Sequence, residues 1–441
     1  MSVPVVFVAT EKDSVFAFDA DSNPCQMLWK QPSLFPVGSE PFIPPTLSPD
    51  APNFVIVPIV GITGSPVIDV NASTLYAVAT TQTITGLNSP NYSQLLFGLD
   101  LATGQLKIGP TGLTTDSEEN QRAALLLDSG TVYVALGSYG GLDEYHGWVF
   151  GFDAPSLQPN GIFNVTPHGQ FGGIWQSGGG PSADSTHNLF VATGDGPPNQ
   201  GVSYSDSFLR LGTNGGLSVA DYFTPCDQGL DWGVSPNAAL QSVSSAPVLL
   251  PDSAGSLSQP HLLIGGSKNG SLYVVNRDTM GGFDGTCLTD LSPRVQIVSA
   301  GAGAILSTPL FWNGNVYVAP GNGNLMAFPM PAGNLASSPS PFQSPEKLGP
   351  QGATPVISSN GTNNAILWLI DSSGALATPD NTPAILRAYD PNNLSTEIYN
   401  SATVTPRDTA GPAVKFTVPT VANGKVYVGT QTELDVYGLL Q

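Results

Sequence analysis

The chain has 441 residues, of which 41% are hydrophobic, so it can bury a large core and is not a disordered polymer. Only 10% of the residues are charged and the net charge is −20, which excludes the basic surface that a nucleic-acid or anionic-membrane binder needs. The longest apolar run, residues 54–62, contains Pro58 and is too short to cross a bilayer, so membrane insertion is not expected.

One short strand pattern recurs along the whole chain. Each copy carries Val, Leu, Ile, Phe or Tyr in an arrangement typical of a buried or half-buried strand. Eight copies occur, at residues 6–10, 75–80, 132–137, 189–194, 262–267, 316–321, 366–371 and 426–430. Another strand, which in most cases contains proline, precedes seven of these copies; a third strand follows all eight, and a weaker fourth strand follows most.

A repeat of about 40 to 60 residues with four short strands is typical of a β-propeller blade, because one such sheet cannot bury both faces alone. The sequence therefore predicts an all-β protein in which residues 1–441 form a single propeller domain. We predict eight blades of four antiparallel strands, with seven blades and a shared seam as the alternative. The first unit lacks an inner strand and the last unit, residues 415–440, ends after its third strand, so both end blades are predicted to be incomplete.

The repeat also carries a specific residue pattern. A Thr/Ser-x-Pro-Val strand is followed by Val-Tyr-Val-Gly-Thr, then by Leu-x-Ala-Phe-Asp and Thr-Gly, as seen in residues 5–22, 61–69, 145–153 and 413–431. This pattern resembles the repeat of the pyrroloquinoline-quinone (PQQ) enzymes and their cofactor-free relatives, the quinoprotein alcohol dehydrogenase-like propellers. It looks most like a bacterial PQQ-like group of unassigned activity. The resemblance implies the fold over nearly the whole chain, but it implies no particular reaction.

The strand order of a blade predicts where binding would occur. If strands are named A to D from the ring axis outwards, the B–C loops and the D-to-A connections share one end of the blades. The long irregular segments all fall at that end, whereas the A–B turns are short, and long loops on a rigid scaffold usually carry function. We therefore expect an axial funnel there, bordered by eight candidate residues: Gln121, Arg122, Tyr139, His146, Trp175, Gln176, Asp195 and Lys268.

Three of these residues are predicted to be catalytic. His146 suits a general base near neutral pH, with a structural histidine bonded to a loop carbonyl as the alternative. Arg122 suits a carboxylate or phosphate, with a buried ion pair to Glu118 or Glu119 as the alternative. Asp195 is the acidic candidate.

The other five are predicted to bind ligand. Trp175 and Gln176 lie between glycines and would offer an aromatic platform and an amide to a sugar or planar ring, with a tryptophan packed between blades as the alternative. Gln121, Tyr139 and Lys268 complete the set, and Lys268 is alternatively a solvated turn residue.

The resemblance also raises the question of PQQ. Dehydrogenases of that superfamily hold the quinone between a tryptophan and a disulfide of adjacent cysteines, and they coordinate calcium. Here Cys25, Cys226 and Cys287 are isolated, and Arg122 and Lys268 are the only obvious cations for a tricarboxylate. We therefore expect no cofactor, with PQQ and calcium as the alternative. One Cys226–Cys287 disulfide and three buried thiols are equally compatible with the sequence.

These observations predict a monomeric ligand-binding or interaction propeller that takes a small polar or planar ligand, such as a saccharide, in its funnel. A PQQ- and calcium-dependent dehydrogenase of alcohols or sugars is one alternative. A cofactor-independent lyase, hydrolase or cyclase using the same funnel is the other. Low lysine content and loops rich in Gly, Ser, Thr and Asn favour an extracellular or periplasmic protein whose leader is absent from this chain, with a cytoplasmic location as the alternative.

Overall fold

The structure is a computed structural model that describes residues 3–34, 39–41, 56, 59–84, 90–113, 119–138, 145–176, 178–196, 202–226, 243–283, 295–301, 303–373 and 381–439. Its strands form eight separate sheets, and the fold is an eight-bladed β-propeller, as predicted. The chain divides into two compact units. Unit 1 comprises Met1–Ile174, Ser185–His187 and Gly212–Ser218, and unit 2 comprises Trp175–Asp184, Asn188–Leu211 and Val219–Gln441. The single propeller domain stays a prediction.

Blades 1 to 3 have their strands in unit 1. Blade 1 contains β1 (Val5–Ala9), β2 (Val15–Asp19) and β3 (Gln26–Gln31). Blade 2 contains β4 (Ser39–Pro41), β5 (Val67–Asp69), β6 (Thr74–Ile84), β7 (Pro90–Asp100) and β8 (Leu106–Gly112). Blade 3 contains β9 (Glu119–Gln121), β10 (Leu126–Asp128), β11 (Thr131–Ser138), β12 (Trp148–Asp153) and β13 (Pro159–Asn164).

Blades 4 to 6 follow the same up-and-down order. Blade 4 contains β14 (Ser182–Ala183), β15 (Leu189–Ala192), β16 (Phe208–Gly212) and β17 (Ser218–Thr224), with β21 (Gly282–Phe283) added in parallel at its edge. Blade 5 contains β18 (Val248–Leu249), β19 (Leu262–Gly266), β20 (Ser271–Asn276) and β22 (Val295–Ser299). Blade 6 contains β23 (Leu310–Trp312), β24 (Asn315–Val318) and β25 (Met326–Pro329).

The last two blades complete unit 2. Blade 7 contains β26 (Val356–Asn360), β27 (Asn363–Asp371), β28 (Ile385–Asp390) and β29 (Asn393–Asn400). Blade 8 contains β30 (Thr420–Ala422), β31 (Lys425–Gly429) and β32 (Leu434–Tyr437). Blades 1 and 8 thus have three strands each, as predicted. The sheets of blades 2, 3 and 4 have five strands instead of the predicted four. Blade 6 has three, because irregular chain covers its outer edge: the N–H groups of Ser340 and Ser344 donate to the carbonyls of Ala327 and Leu325.

The core lies between successive blades of each unit. The alternating apolar residues of neighbouring sheets meet in clusters between blades 1 and 2 and between blades 2 and 3, and likewise between each pair from blade 4 to blade 8. Phe150, for example, is 2% exposed between blades 2 and 3. Full burial of one such side chain contributes about 1.5–3 kcal/mol, so these interfaces hold the blades in place.

Side-chain contacts stabilise the turns between β2 and β3 of blade 1 and between β7 and β8 of blade 2. The Asp19 carboxylate accepts the N–H of Asp21 at 2.9 Å, so this Asp-rich segment caps a turn. The indole Nε1 of Trp29 donates to the carbonyl of Leu101 at 2.9 Å, and a Cβ at Gly104 would lie 2.4 Å from the Trp29 ring. Blade 1 is therefore docked on blade 2 by a tryptophan that requires glycine in the turn.

The cysteines differ in state. Cys25 is a free, exposed thiol, which makes the expectation of three buried thiols wrong. Cys226 is disulfide-bonded. Cys287, its predicted partner, lies outside the described residues.

Within the part of the chain that the structure describes, no helix has the length and apolar character of a membrane span.

Candidate functional site

The inner strands of blades 5 to 8 meet at two glycines of unit 2. A Cβ at Gly179 would lie 2.6 Å from the Ala246 Cβ and 2.8 Å from the Thr308 hydroxyl. A Cβ at Gly178, where φ is +72°, would lie 2.8 Å from a Val418 methyl and 3.0 Å from the Thr354 hydroxyl. Glycine is therefore required at both positions, and the segment that leads into blade 4 lies against the inner ends of four other blades.

Gln176 is the most unusual residue of this segment. Its side chain is 1% exposed, and neither its amide nitrogen nor its amide oxygen makes a hydrogen bond with the described residues. Its backbone φ is +39°, a conformation that glycine favours and glutamine rarely adopts. The backbone carbonyl of Gln176 accepts the N–H of Gly179 at 2.8 Å, which closes the turn. Strained backbone with buried, unpartnered polar groups tends to occur at binding sites.

Two further polar groups extend this Gln176 site. The hydroxyl of Thr308, next to Gly179, is also buried without a hydrogen-bond partner in the described part of the chain. Trp175, the residue before Gln176, is half-buried. Nothing in the Ser-Thr-Pro stretch of the sequence indicated that Thr308 would lie beside Gly179.

Asp195 and Lys268 are brought together in unit 2. The Lys268 ammonium lies 3.5 Å from the Asp195 carboxylate, and the two side chains are 25% and 23% exposed. Asp195 follows β15 and Lys268 follows β19, so both lie at the B–C end, as the predicted strand order requires. A hydrogen bond from the N–H of Asp206 to the carbonyl of Gly194 holds the Asp195 loop in place. The pair is electrically balanced, and it offers both donors and acceptors.

Gln121 of unit 1 is used within the protein. Its side-chain oxygen accepts the N–H of Gly64 at 3.2 Å, and its side-chain nitrogen donates to the carbonyl of Ala123. Its backbone N–H donates to the Gln94 side chain at 3.0 Å. This amide fixes the start of blade 3 against blade 2, so the structure gives Gln121 a structural contact and its predicted ligand-binding role stays untested.

Arg122 belongs to a buried acidic cluster that the sequence did not reveal. Glu11 of blade 1 acts electrostatically on Arg122, whereas Glu118, one of its two predicted partners, lies outside the described residues. Burial lowers the pKa of Arg122 to about 10, which leaves it charged at neutral pH, and burial also raises the pKa of Glu11. One Glu11 carboxylate oxygen accepts the N–H of Gly61 at 2.8 Å and the Thr63 hydroxyl at 3.1 Å.

Asp13 is the other acid of this cluster. Its side chain has no exposed surface, and neither carboxylate oxygen has a hydrogen-bond partner among the described residues. Burial, and secondly the nearby Glu11 charge, raises the pKa of Asp13 to about 8. An acid with this pKa is mostly protonated at neutral pH. Asp13 lies in the turn between β1 and β2, and a Cβ at Gly61, in the segment that leads into blade 2, would lie 2.7 Å from its carboxylate, so the packing of blade 2 contributes to this burial.

His146 is held in one tautomer. The hydroxyl of Thr166 donates to the carbonyl of Phe171 at 2.9 Å, so it can only accept from the imidazole Nδ1 that lies 3.0 Å away. The proton of a neutral His146 is therefore on Nδ1, and Nε2 carries the lone pair of a base. The backbone N–H of His146 also donates to the Glu119 carboxylate at 3.1 Å. The fixed tautomer is compatible with a general base. The contacts with Thr166 and Glu119 are also those of a histidine with a structural role.

The remaining candidate, Tyr139, lies outside the described residues. Four of the other candidates lie in unit 2: Asp195 and Lys268, which form an ion pair, and Trp175 and Gln176. The remaining three, Gln121, Arg122 and His146, lie in unit 1. No group of three or more metal-ligating His, Cys, Asp or Glu side chains occurs in the described ranges. Thus the described residues offer amide, hydroxyl and ion-pair chemistry.

Comparisons with known proteins show the fold. No protein-family model matches the chain, and no curated protein does. BamB from Moraxella catarrhalis is similar in structure, with 16% identity, a TM-score of 0.55 and coverage of 98% of this chain and 92% of that one. A quinohemoprotein alcohol dehydrogenase from Comamonas testosteroni has 14% identity, a TM-score of 0.57 and coverage of 96% and 68%. Sqt1 from Saccharomyces cerevisiae has 12% identity, a TM-score of 0.54 and coverage of 100% and 94%.

The chain therefore has a β-propeller fold of the PQQ dehydrogenase and BamB type. The sequence resemblance is confirmed at the level of fold. Identities of 16% or less do not extend it to the particular PQQ-like group, which stays a prediction.

Proposed function

We propose that this protein is a ligand-binding propeller whose Gln176 site takes a small, neutral, polar ligand such as a saccharide. The supporting observation is the Gln176 carboxamide, which is 1% exposed and has no hydrogen-bond partner among the described residues. A buried polar group without partners costs about 1–3 kcal/mol. A ligand hydroxyl can donate to the amide oxygen and accept from the amide nitrogen, so binding would recover that free energy.

Charge favours a neutral ligand over an anionic one. Lys268, the predicted cation of unit 2, is paired with Asp195, so its charge is already balanced. The net charge of −20 repels an anion at long range. A polyhydroxylated ligand matches an amide, the Thr308 hydroxyl and a balanced ion pair, and the adjacent Trp175 is a residue type that stacks on sugar rings.

The test uses two glutamine variants of unit 2. Gln176→Leu removes the unpartnered amide and keeps the side-chain volume, so it should leave stability unchanged or raised while abolishing ligand binding. Gln296→Leu is the matched control. Its amide exchanges two hydrogen bonds with the backbone of Leu335, at 2.5 and 2.8 Å, so it should lower stability by about 1–3 kcal/mol and keep ligand binding.

Binding would be measured by calorimetry and thermal shift against glucose, galactose, maltose and trehalose. We expect at least one sugar to bind the wild type and Gln296→Leu, and none to bind Gln176→Leu. Retention of binding by Gln176→Leu, or no response of the wild type to any of these sugars, would contradict the proposal.

PQQ fits the described residues poorly. Its three carboxylates call for several cations that are not already engaged by acids. Lys268 lies beside Asp195, and Arg122 faces Glu11. Arg387 is held by Asp371 at 3.0 Å as well as by other carboxylates of blade 7. Saturable binding of PQQ in the presence of calcium, together with reduction of a dye, would contradict this view.

A cofactor-independent reaction in unit 1 is a second candidate, supported by the lone pair on His146 Nε2. Such a base would abstract a proton from a hydroxyl or a carbon acid. Turnover of chromogenic nitrophenyl glycosides or esters that is lost in His146→Ala would support it, and unchanged turnover in that variant would exclude His146 as the base.

Export of the protein from the cytoplasm is also proposed. It is supported by the disulfide at Cys226, because disulfides persist in oxidising compartments.

A further inference from the structure

An apolar groove lies at the opposite end of the strands of unit 2, where the A–B and C–D turns are. It has a volume of about 590 Å³, which is within the usual range for ligand sites. Its floor and walls are largely apolar and include two aromatic rings and two prolines: Pro251, Ala254, Phe311, Trp312, Met330 and Pro331. Nothing in the Gln176 site uses these residues.

Three short turns with internal hydrogen bonds build this groove. The N–H of Ala254 donates to the Pro251 carbonyl at 2.8 Å in the first, and the N–H of Met330 donates to the Gly314 carbonyl at 2.8 Å between the other two. Asn313 and Gly314 have φ values of +47° and +72°, as a tight Asn-Gly hairpin requires. The groove is therefore preformed, which lowers the entropic cost of binding.

One wall contains a strained residue. Ala332 is exposed and has φ +50° and ψ +44°, the left-handed region that favours glycine or asparagine. The next residue, Gly333, packs closely on the neighbouring turn, because a Cβ there would lie 3.3 Å from the Gly255 Cα. Non-glycine residues in this conformation occur at ligand clamps and binding surfaces. The fully exposed Leu257, two residues beyond Gly255, adds apolar surface beside the groove.

We propose that this groove binds an extended, proline-containing peptide segment of a partner protein with a basic residue at one end. Aromatic and proline-lined grooves bind polyproline II segments, since prolyl rings fit between flat side chains and the peptide loses little entropy. The basic residue of the peptide is inferred from the negative charge of the protein beside the groove. Asp252, in the first turn, has a 71% exposed side chain, and its ion pair with Arg277 is long, at 3.9 Å, so its outer face stays open to a basic group. The acidic net charge of the chain favours the same partner.

Calorimetry with synthetic peptides tests the proposal. The probe is an acetylated oligoproline that ends in arginine. A Gly-Ser peptide of equal length that ends in arginine tests the conformation, and an oligoproline that ends in glutamate tests the charge. We expect the first to bind at least about tenfold more tightly than either control, which corresponds to about 1.4 kcal/mol. Asp252→Asn should reduce the preference for arginine over glutamate.

Two alanine positions give a matched pair of variants. Ala332 and Ala402 both lie exposed in one-turn 3₁₀ segments of unit 2, but only Ala332 lines the groove. Ala332→Glu should weaken binding of the arginine probe at least about tenfold, and Ala402→Glu, with the same charge change, should bind like the wild type. Trp312→Ala should also weaken binding, and circular dichroism would establish that each variant is folded.

Several outcomes would overturn the proposal. The first is that the oligoproline probe does not bind. The second is that the Gly-Ser peptide binds as tightly as the probe. The third is that Ala402→Glu weakens binding of the probe as much as Ala332→Glu does. Concentration-dependent self-association that Ala332→Glu abolishes, in the absence of peptide binding, would show that a second copy of the chain occupies the groove instead.

Discussion

Asp13 in blade 1 allows a quantitative prediction about stability and pH. Its carboxyl is fully buried beside Glu11, and burial raises its pKa from 3.8 to about 8. The folded protein therefore keeps a proton that the unfolded chain releases above about pH 4, so stability falls as pH rises from about 4 to about 8 and then levels off. Each pKa unit corresponds to about 1.36 kcal/mol, which makes the loss at pH 7 up to about 4 kcal/mol.

The perturbation is Asp13→Asn, which keeps the shape of the side chain and removes its titration. The free-energy cost of burying the new amide is the same at every pH. The informative quantity is therefore the change of the free energy of unfolding with pH. We expect the free energy of unfolding of Asp13→Asn, relative to the wild type, to increase by several kcal/mol between about pH 4 and about pH 8.

The assay is urea unfolding followed by tryptophan fluorescence and circular dichroism over that pH range. Asp21→Asn is the control, because it changes the net charge equally at an exposed position of the same unit. Glu11 has a raised pKa as well, so a pH dependence of the same sign should remain in Asp13→Asn, and Asp21→Asn should keep that of the wild type. A difference between Asp13→Asn and the wild type that does not change with pH would refute the reasoning, as would the same pH-dependent gain in Asp21→Asn.

Two further predictions concern the packing of Gly178 and the imidazole of His146. Gly178→Ala and Gly424→Ala place Cβ on backbones with φ +72° and +73°, but only the first meets other atoms, so it should cost about 1–3 kcal/mol more in urea unfolding; equal costs would mean that the inner strands move apart freely. Thr166→Val removes the hydroxyl that accepts from Nδ1, so ¹⁵N NMR of His146 should show a shift from the Nδ1–H towards the Nε2–H tautomer. An unchanged tautomer would show that another group fixes the ring.

Local sequence rules account for most of the fold. An Asn423-Gly424 turn joins β30 and β31, and all eight recurring strands were placed at or within a few residues of their observed positions. Such features follow from turn chemistry and the two-residue period of a strand, which are encoded within a few residues. The outer edge of blade 6 was not predicted, because the hydrogen bonds from Ser340 and Ser344 to its edge strand carry no periodic signal.

The candidate site was predicted only in part. Asp195 and Lys268 meet because both follow B strands of adjacent blades, which strand order alone predicts. The sequence did not indicate that Glu11 would act on Arg122, since Glu11 is more than a hundred positions earlier in the sequence and is brought to it by the stacking of blades. Proximity in sequence favoured Glu118 and Glu119, but proximity in space depends on how successive sheets pack.

The sequence by itself determined an eight-bladed all-β propeller, the turn chemistry, and the end of the blades that carries the long loops. Those properties depend on the period of apolar residues and on short turns, which neighbouring residues specify. Only the tertiary structure decided that Gln176 is buried without partners, that Asp13 keeps its proton, and that Phe311 and Trp312 line an open groove. Burial and hydrogen-bond satisfaction depend on residues from other blades, and no local pattern records which groups those will be.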